Sequence, residues 1–413
     1  MNRYFGMDTH KKFVMVAAVN TEQQVIIEPH RVEMADLVSW TERNLTSQDS
    51  IVIEVTANTW HIYDILTAQA GKVVVANPFK TRIIAEARIK SDKIDAVILA
   101  RLLASRFICD VWVPSTSVRQ HRVLVAHRAI LSKQISQVKN RIHALLTRHN
   151  CSCPEKSVFS TQGRAWLDSL PMTPIEQLER AHLLAQLDLL QTQRIHAERQ
   201  IAQLAAQDER VPRLMQITGI GYFAAFAILA AIGNIQRFPS PKRLASYAGL
   251  VPSLHQSGDH SYSGHITRAG SPNLRWLLVE AAWSAVRFDP HWQQVYEGIQ
   301  RRRGSSIAIV AIARKLLVVV WHLLSNHSTY YYLQPQIFVR KLQEWAWRIG
   351  RKELPSTSSI AFVQDRLYSV GLSDLATGLT TNRKGKLQFE RQISTQLEKD
   401  AKLPSYQSAL LAV

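Results

Sequence analysis

At Pro114 the spacing of apolar residues in this chain changes, and that change limits the folds open to it. Before it, apolar residues sit in short β-rich runs separated by polar turns, the pattern of strands. Beyond it they recur every three or four residues over long stretches, the pattern of helices packed along a seam. An α/β region followed by a helical one is expected, and 413 residues allow two or three domains. The boundaries read as 1–110, a helical arm at 111–210, a helical domain at 211–326 and an extension at 327–413.

In the first region, Tyr4 to Asp8, Lys12 to Val19 and Gln24 to Val32 suggest an antiparallel meander. Met34 to Leu45 reads as helix, Ser50 to Val55 as strand, Trp60 to Ala70 as helix and Lys72 to Ala76 as strand, ended by Asn77-Pro78. Two more helical stretches run from about Phe79 to Arg88 and from Lys93 to Arg106. Three strands, a helix and then alternation is the order of a ribonuclease-H-like α/β domain.

The arm carries two heptad-like stripes. Leu124, Leu131, Ile135, Val138, Ile142 and Leu145 form one, and Leu183, Leu187, Leu190, Ala197, Ile201 and Leu204 the other. They predict an antiparallel hairpin or a coiled-coil dimerisation arm, with 150–174 as a loop. From Val111 to Pro154 there is no Asp or Glu, whereas Arg119, Arg122, Arg128, Lys133, Lys139, Arg141 and Arg148 are all present. A face free of acids suits a phosphate backbone, DNA or RNA, and a solvated helix face is the alternative.

The whole chain has a formal charge of +18, from 50 Lys+Arg against 32 Asp+Glu. Such an excess favours a polyanionic partner, since basic side chains displace counterions condensed on nucleic acid. Cys109, Cys151 and Cys153 give no disulfide framework and fit a reducing cytoplasm. No signal peptide is expected at the start of the sequence. The apolar run Ile307 to Leu324 is interrupted by Arg314 and Lys315 and reads as a buried helix, not a membrane span.

Asp8 ends the apolar run Tyr4-Phe5-Gly6-Met7, and Glu54 follows Ile51-Val52-Ile53. An unpaired carboxylate at the end of a core strand is costly, and a divalent cation offsets that cost. Asp92 and Asp95 are three residues apart and share a helix face. If the first and fourth strands are neighbours and a later helix crosses their ends, all four carboxylates converge. Such a set suits oxygen-seeking Mg²⁺, or Mn²⁺. Two such ions about 4 Å apart can clamp a phosphodiester. Taken singly, Asp8 can be a turn former, Glu54 a strand-end charge and Asp92 a helix cap.

These segments resemble the DEDD-type insertion-sequence transposases, relatives of the pilin-gene DNA invertase also known as bridge-RNA-guided recombinases. Tyr4-Phe5-Gly6-Met7-Asp8 is similar to their opening motif, and Glu54-Val55-Thr56 with Trp60 to their second. Asn77-Pro78 and Lys90-Ser91-Asp92-Lys93-Ile94-Asp95-Ala96, through Leu99-Ala100-Arg101, are similar to the third. Ala57-Asn58 departs from the family, which usually has a glycine there.

The second region holds Ile217-Thr218-Gly219-Ile220-Gly221 before an Ala-rich stretch. Gly219 and Gly221 could present backbone N–H groups to a DNA phosphate, or could simply make a tight turn. Downstream, a Gly-, Ser- and His-rich loop is expected between Pro252 and Pro272; it contains Gln256-Ser257-Gly258 and Ile266-Thr267-Arg268, and Asn273-Leu274-Arg275 follows it. The order of these pieces, closed by Ala311 to Leu317 and Trp321, resembles the family's second domain. The resemblance implies that Ser257 is a nucleophile forming a phosphoserine link with DNA. Arg268, where lysine is common, and Arg275 are candidates to neutralise the scissile phosphate. His255, His260 and His265 read as decoration of a basic loop.

The resemblance also implies a transposase acting on element ends and target DNA, directed by a structured RNA. It implies dimers and tetramers in the bacterial cytoplasm at the nucleoid. Two rival readings are a metal-only nuclease of the junction-resolvase type and a nucleic-acid-binding assembly protein with vestigial sites. Helices are expected around Gln336 to Trp347 and Lys386 to Ala401, with no function assigned to the extension.

Overall fold

The computed structural model describes residues 2–84, 91–257, 260–381 and 387–389. The chain divides into two compact units, Met1–Ser115 and Thr116–Val413.

In the first unit, β1 (Tyr4–Thr9), β2 (Phe13–Val19) and β3 (Val25–Glu33) form the expected meander, followed by α1 (Leu37–Asn44), β4 (Ser50–Glu54), α2 (Thr59–Thr67), β5 (Lys72–Ala76), α3 (Pro78–Ile84) and α4 (Asp92–Ala104). The sheet order is β3-β2-β1-β4-β5. β1 pairs antiparallel with β2 and parallel with β4, whose other neighbour β5 is also parallel. β4 is a continuous apolar run because both of its faces are covered. Alternation decides what each face holds. Phe5, Met7, Ile51 and Ile53 pack with Leu37, Ile62 and Leu66 from α1 and α2. On the opposite face, Val52 and Ala76 meet Leu99 and Leu103, and Met15 and Ala17 meet Ala96. That second face belongs to α4.

Helix α4 lies unusually close to the sheet. A Cβ on Gly6 would stand 2.0 Å from the Ala96 carbonyl oxygen and 2.5 Å from the Ala100 nitrogen. Only glycine on the strand, opposite two alanines on the helix, permits this approach.

In the second unit, α5 (Thr116–Arg148) and α7 (Pro174–Ala205) flank a short α6 (Thr161–Ser169), which lies within the segment expected to be a loop. Leu131, Ile135, Val138, Ile142 and Leu146 interlock with Leu183, Leu187, Leu190 and Ala197. The two helices run antiparallel: Arg148 and His149 meet Glu179 and Glu176, while Arg128 meets Glu198. A capping box between Thr173 and Glu176, with Pro174 in the first turn, starts α7.

The chain continues through α8 (Arg210–Met215), α9 (Tyr222–Ile232), α10 (Pro241–Tyr247), β6 (Pro252–Ser257), β7 (His260–Ile266), α11 (Pro272–Phe288), α12 (Pro290–Arg303) and α13 (Ser305–Asn326). β6 and β7 pair antiparallel, so the segment expected to be a loop is largely a hairpin. Helix α13 is long and apolar enough to cross a membrane by composition. Its Ala308, Ile312, Leu316, Val320 and Leu324 are buried in the helical core instead, as the interruption by Arg314 and Lys315 suggested.

The extension adds α14 (Pro335–Ile349), α15 (Ser359–Ser369), α16 (Ser373–Thr377) and the paired strands β8 (Leu379–Thr381) and β9 (Leu387–Phe389). Phe338, Trp345 and Phe362 join the same core as α9 and α13. The helix expected from Lys386 begins instead with β9, and residues from 390 onward lie outside the described residues.

Candidate metal centre and serine hairpin

Strand parity delivers the first carboxylates. Gly6 faces α4, so Asp8, two residues on, points to the same side. Val52 packs against α4, so Glu54 at the end of β4 does likewise. Met7 pairs with Ile53 in the parallel register, which sets Asp8 and Glu54 side by side where the two strands end. Helix α4 begins over this edge. Ser91 is its N-cap, the Ser91 hydroxyl accepting a hydrogen bond from the Ile94 N–H at 3.4 Å. Asp92 is thus released from capping, and Asp8 lies inside a strand rather than in a turn. Asp92 and Asp95 occupy the first turn, where the helix dipole favours negative charge.

His10 completes the cluster. Its Nε2 lies 3.1 Å from Asp8 Oδ2 and 3.3 Å from Asp92 Oδ2. One ligand atom from each of Asp8, His10 and Asp92 falls within 4.8 Å of the others. The imidazole stacks on Phe13 with ring centres 4.6 Å apart, and the Asn58 amide donates to the His10 carbonyl at 3.2 Å. Burial raises the Asp8 carboxyl above its ordinary range, His10 opposes the shift, and the charges of Asp92 and Asp95 add to it. Asp95 therefore shares the site's field, although it and Glu54 stand outside the 4.8 Å group. A cation among these groups would offset the charge that burial penalises at Asp8, and the carboxylate oxygens are hard donors. His10 was missed from the sequence. The spacing Asp-x-His at a strand end was its signal, since alternate residues share a face.

The serine is on the second unit. Ser257 is the last residue of β6 and pairs with His260, the first residue of β7. The Ser257, His255 and His260 side chains and residues 258–259 lie outside the described residues. Gln256, Tyr262 and His265 on the same hairpin are exposed.

The other candidates divide sharply. Arg268 is exposed, with a positive φ of 51°. Arg275 donates to the Ala248 carbonyl at 3.1 Å and so secures the end of α10. Gly219, at φ 92°, lies against α11, since a Cβ there would stand 2.3 Å from the Ala281 carbonyl oxygen. Its glycine is accounted for by packing, while Gly221, the N-cap of α9, faces open space.

On α5, Arg122 donates to the carbonyls of Ala230 and Ala231 at 2.8 and 2.9 Å. Arg128 is paired with the buried Glu198 at 2.7 Å and lies over the Phe223 ring. Arg148 pairs with Glu179, Lys139 lies over the Phe159 ring and Arg119 is half-buried. Lys133 and Arg141 are exposed. Arg122 and Arg128 of the basic stripe are thus spent inside the protein, while Lys133, Arg141 and Arg148 stay exposed.

Both units resemble known proteins. Residues 5–151 match a family described as a transposase, of the DEDD type, and residues 211–297 match the Transposase IS116/IS110/IS902 family. The chain is 28% identical over 340 residues to the pilin gene-inverting protein of Moraxella bovis, covering 79% of this chain and 97% of that protein. It is 23% identical over 344 residues to the transposase for insertion sequence element IS1111A of Coxiella burnetii, covering 79% and 91%. A probable family 20 transposase of Pseudomonas aeruginosa is 29% identical over 235 residues, covering 53% and 68%.

Proposed function

Because this chain belongs to the IS116/IS110/IS902 family of DEDD transposases, enzymes that cut and rejoin DNA, we propose that it recombines DNA through a phosphoserine intermediate formed by Ser257. The first unit is read as a ribonuclease-H-like catalytic domain and the α5–α7 hairpin as a coiled-coil arm. The observation that carries the reading is the gathering of Asp8 and Asp92 within one 4.8 Å group, with Asp95 in its field and Glu54 on the adjoining strand end.

Asp8, Glu54, Asp92 and Asp95 would hold a divalent cation, Mg²⁺ or Mn²⁺. Bound there, it would supply neutralisation of the non-bridging phosphate oxygens and help ionise the attacking hydroxyl. The Ser257 hydroxyl attacks phosphorus, a phosphodiester P–O bond breaks, and the departing deoxyribose oxygen takes up a proton. Attack by a hydroxyl of the exchanged strand on the phosphoserine reverses these steps, so no nucleotide is consumed. The exposed Arg268 assists at the scissile phosphate, with the open N-terminal turn at Gly221 at the flanking backbone, while Arg275 and Gly219, committed to the Ala248 carbonyl and to packing against α11, hold that framework. Lys133, Arg141 and Arg148, the exposed basic residues of α5, face the donor and target DNA or a guide RNA encoded by the element. Assembly as dimers and tetramers in the bacterial cytoplasm completes the reading.

Trapping tests it. Wild-type protein incubated with element-end DNA and Mg²⁺ leaves a covalent protein–DNA adduct after denaturation, and Ser257→Ala leaves none. Cleavage that persists without an adduct in Ser257→Ala would instead identify a metal-only nuclease.

A further inference from the structure

The DEDD pattern contains four acids, yet the side chain that joins Asp8 to Asp92 in the structure is a histidine. We infer that His10 is a nitrogen ligand of the cation held at this site and tilts its selectivity from Mg²⁺ toward Mn²⁺. The inference rests on the divalent-metal reading of the acidic cluster and adds a residue and a preference to it.

The geometry fits a shared cation. Donor atoms about 2.1 Å from one octahedral ion and at right angles to each other are about 3 Å apart, and opposite ones about 4.2 Å. His10 Nε2 lies 3.1 and 3.3 Å from the two carboxylate oxygens, and the whole trio falls within 4.8 Å. One ion can therefore take the place between them with little movement of the donors. The imidazole is also held in place. Phe13 stacks against its ring, and Asn58 grips its backbone carbonyl. The ring is partly exposed, at 38%, so it borders the solvent side of the cluster, through which an ion would enter.

Ligand chemistry supplies the selectivity. Mg²⁺ prefers oxygen and water, whereas imidazole raises affinity for later divalent metals, among which Mn²⁺ is the closest to Mg²⁺ in its preference for carboxylate oxygen. The coordinating Nε2 must be deprotonated, so the proton of the neutral ring resides on Nδ1.

The test uses the full-length protein and two ions. Mn²⁺ and Mg²⁺ affinities are measured calorimetrically for wild type, His10→Ala, His10→Gln and Asp8→Asn, with circular dichroism as a check on folding. Loss of the imidazole lowers Mn²⁺ affinity at least tenfold and changes Mg²⁺ affinity less than about threefold, in proportion to the usual weight of a ligand-shell group. Glutamine offers a hard oxygen, so His10→Gln shifts the preference toward Mg²⁺. Pulsed electron paramagnetic resonance of bound Mn²⁺ shows coupling to ¹⁴N in the wild type and none in either His10 variant.

Bound Mn²⁺ without nitrogen coupling, or equal losses of both ions in the His10 variants, overturns the assignment while leaving the acidic site standing. Wild-type protein that binds neither ion, or Asp8→Asn that binds both as well as wild type, overturns the metal reading and the His10 assignment with it.

Discussion

Gly6→Ala is the smallest change that should separate the two halves of the acidic cluster without touching a carboxylate. The added methyl would lie 2.0 Å from the Ala96 carbonyl oxygen and 2.5 Å from the Ala100 nitrogen. Both atoms belong to the backbone of α4, so no rotamer change relieves the clash. An ordinary contact begins near 3.4 Å, so helix and strand must part by about 1.4 Å. Overpacking of this kind costs about 1–3 kcal/mol. In a unit of this size each kcal/mol lowers the melting temperature by about 4–8 °C. The larger effect falls on chemistry, because α4 carries Asp92 and Asp95 away from Asp8. A displacement of about 1 Å at a reacting centre costs on the order of 10²-fold in rate. The assay pairs thermal unfolding with divalent-ion binding and DNA adduct formation, the last two well below the melting temperature. A Gly6→Ala protein that melts, binds cation and forms adduct like the wild type refutes the close-approach argument.

Asp8→Asn is expected to abolish DNA processing and yet raise the melting temperature at neutral pH in the absence of divalent ions. The folded-state pKa of Asp8 is raised, so the native state binds more protons than the unfolded one just above the ordinary carboxyl range, and stability falls as pH rises through that window. The gap between Asp8→Asn and wild type therefore closes below about pH 3.8, the ordinary carboxyl value, and a stability–pH series on the two proteins checks it. Glu198→Ala removes the shared partner of Arg128, Arg194 and Arg348. Stranding the half-buried Arg128 should cost about 3 kcal/mol in urea unfolding, and an exposed pair such as Arg148–Glu179, removed in parallel, under about 1 kcal/mol.

What the sequence revealed, and what it concealed, follows from period and sign. The order of strands and the ends of β1 and β4 were legible because apolar runs stop abruptly at Asp8 and Glu54. Their common face followed from alternation once β1 and β4 were neighbours. The basic stripe on α5 was legible only as charge. Composition does not tell which way a side chain turns, and Arg122 and Arg128 turn inward, toward carbonyls of α9 and toward Glu198, a residue 70 positions away. Arg275 escaped for the same reason, since its acceptor is a backbone carbonyl with no sequence signature. The hairpin of β6 and β7 was hidden by its many Ser, Gly and His residues, which make a weak strand signal.

The extension raises the opposite problem, because its contribution lies in contacts with distant backbone. Lys341 on α14 donates to the carbonyls of Met215, Ile217 and Ile220, which surround the turn that begins α9. Burial, with Arg340 beside it, pulls its ammonium down to about 7. Three carbonyl acceptors match the three N–H groups of the charged form, which is how a buried lysine can be kept there. Trp345 donates to the Ala202 carbonyl, and the Tyr330 N–H donates to the Gln216 side chain. Residues leading into the Gly219–Gly221 turn, and Ile220 within it, are thus tied to side chains or backbone more than a hundred positions later. Those ties, together with the packing of Phe338, Trp345 and Phe362 into the core of α9 and α11, make α14 and α15 part of the same folded core as the segment matched to the transposase family.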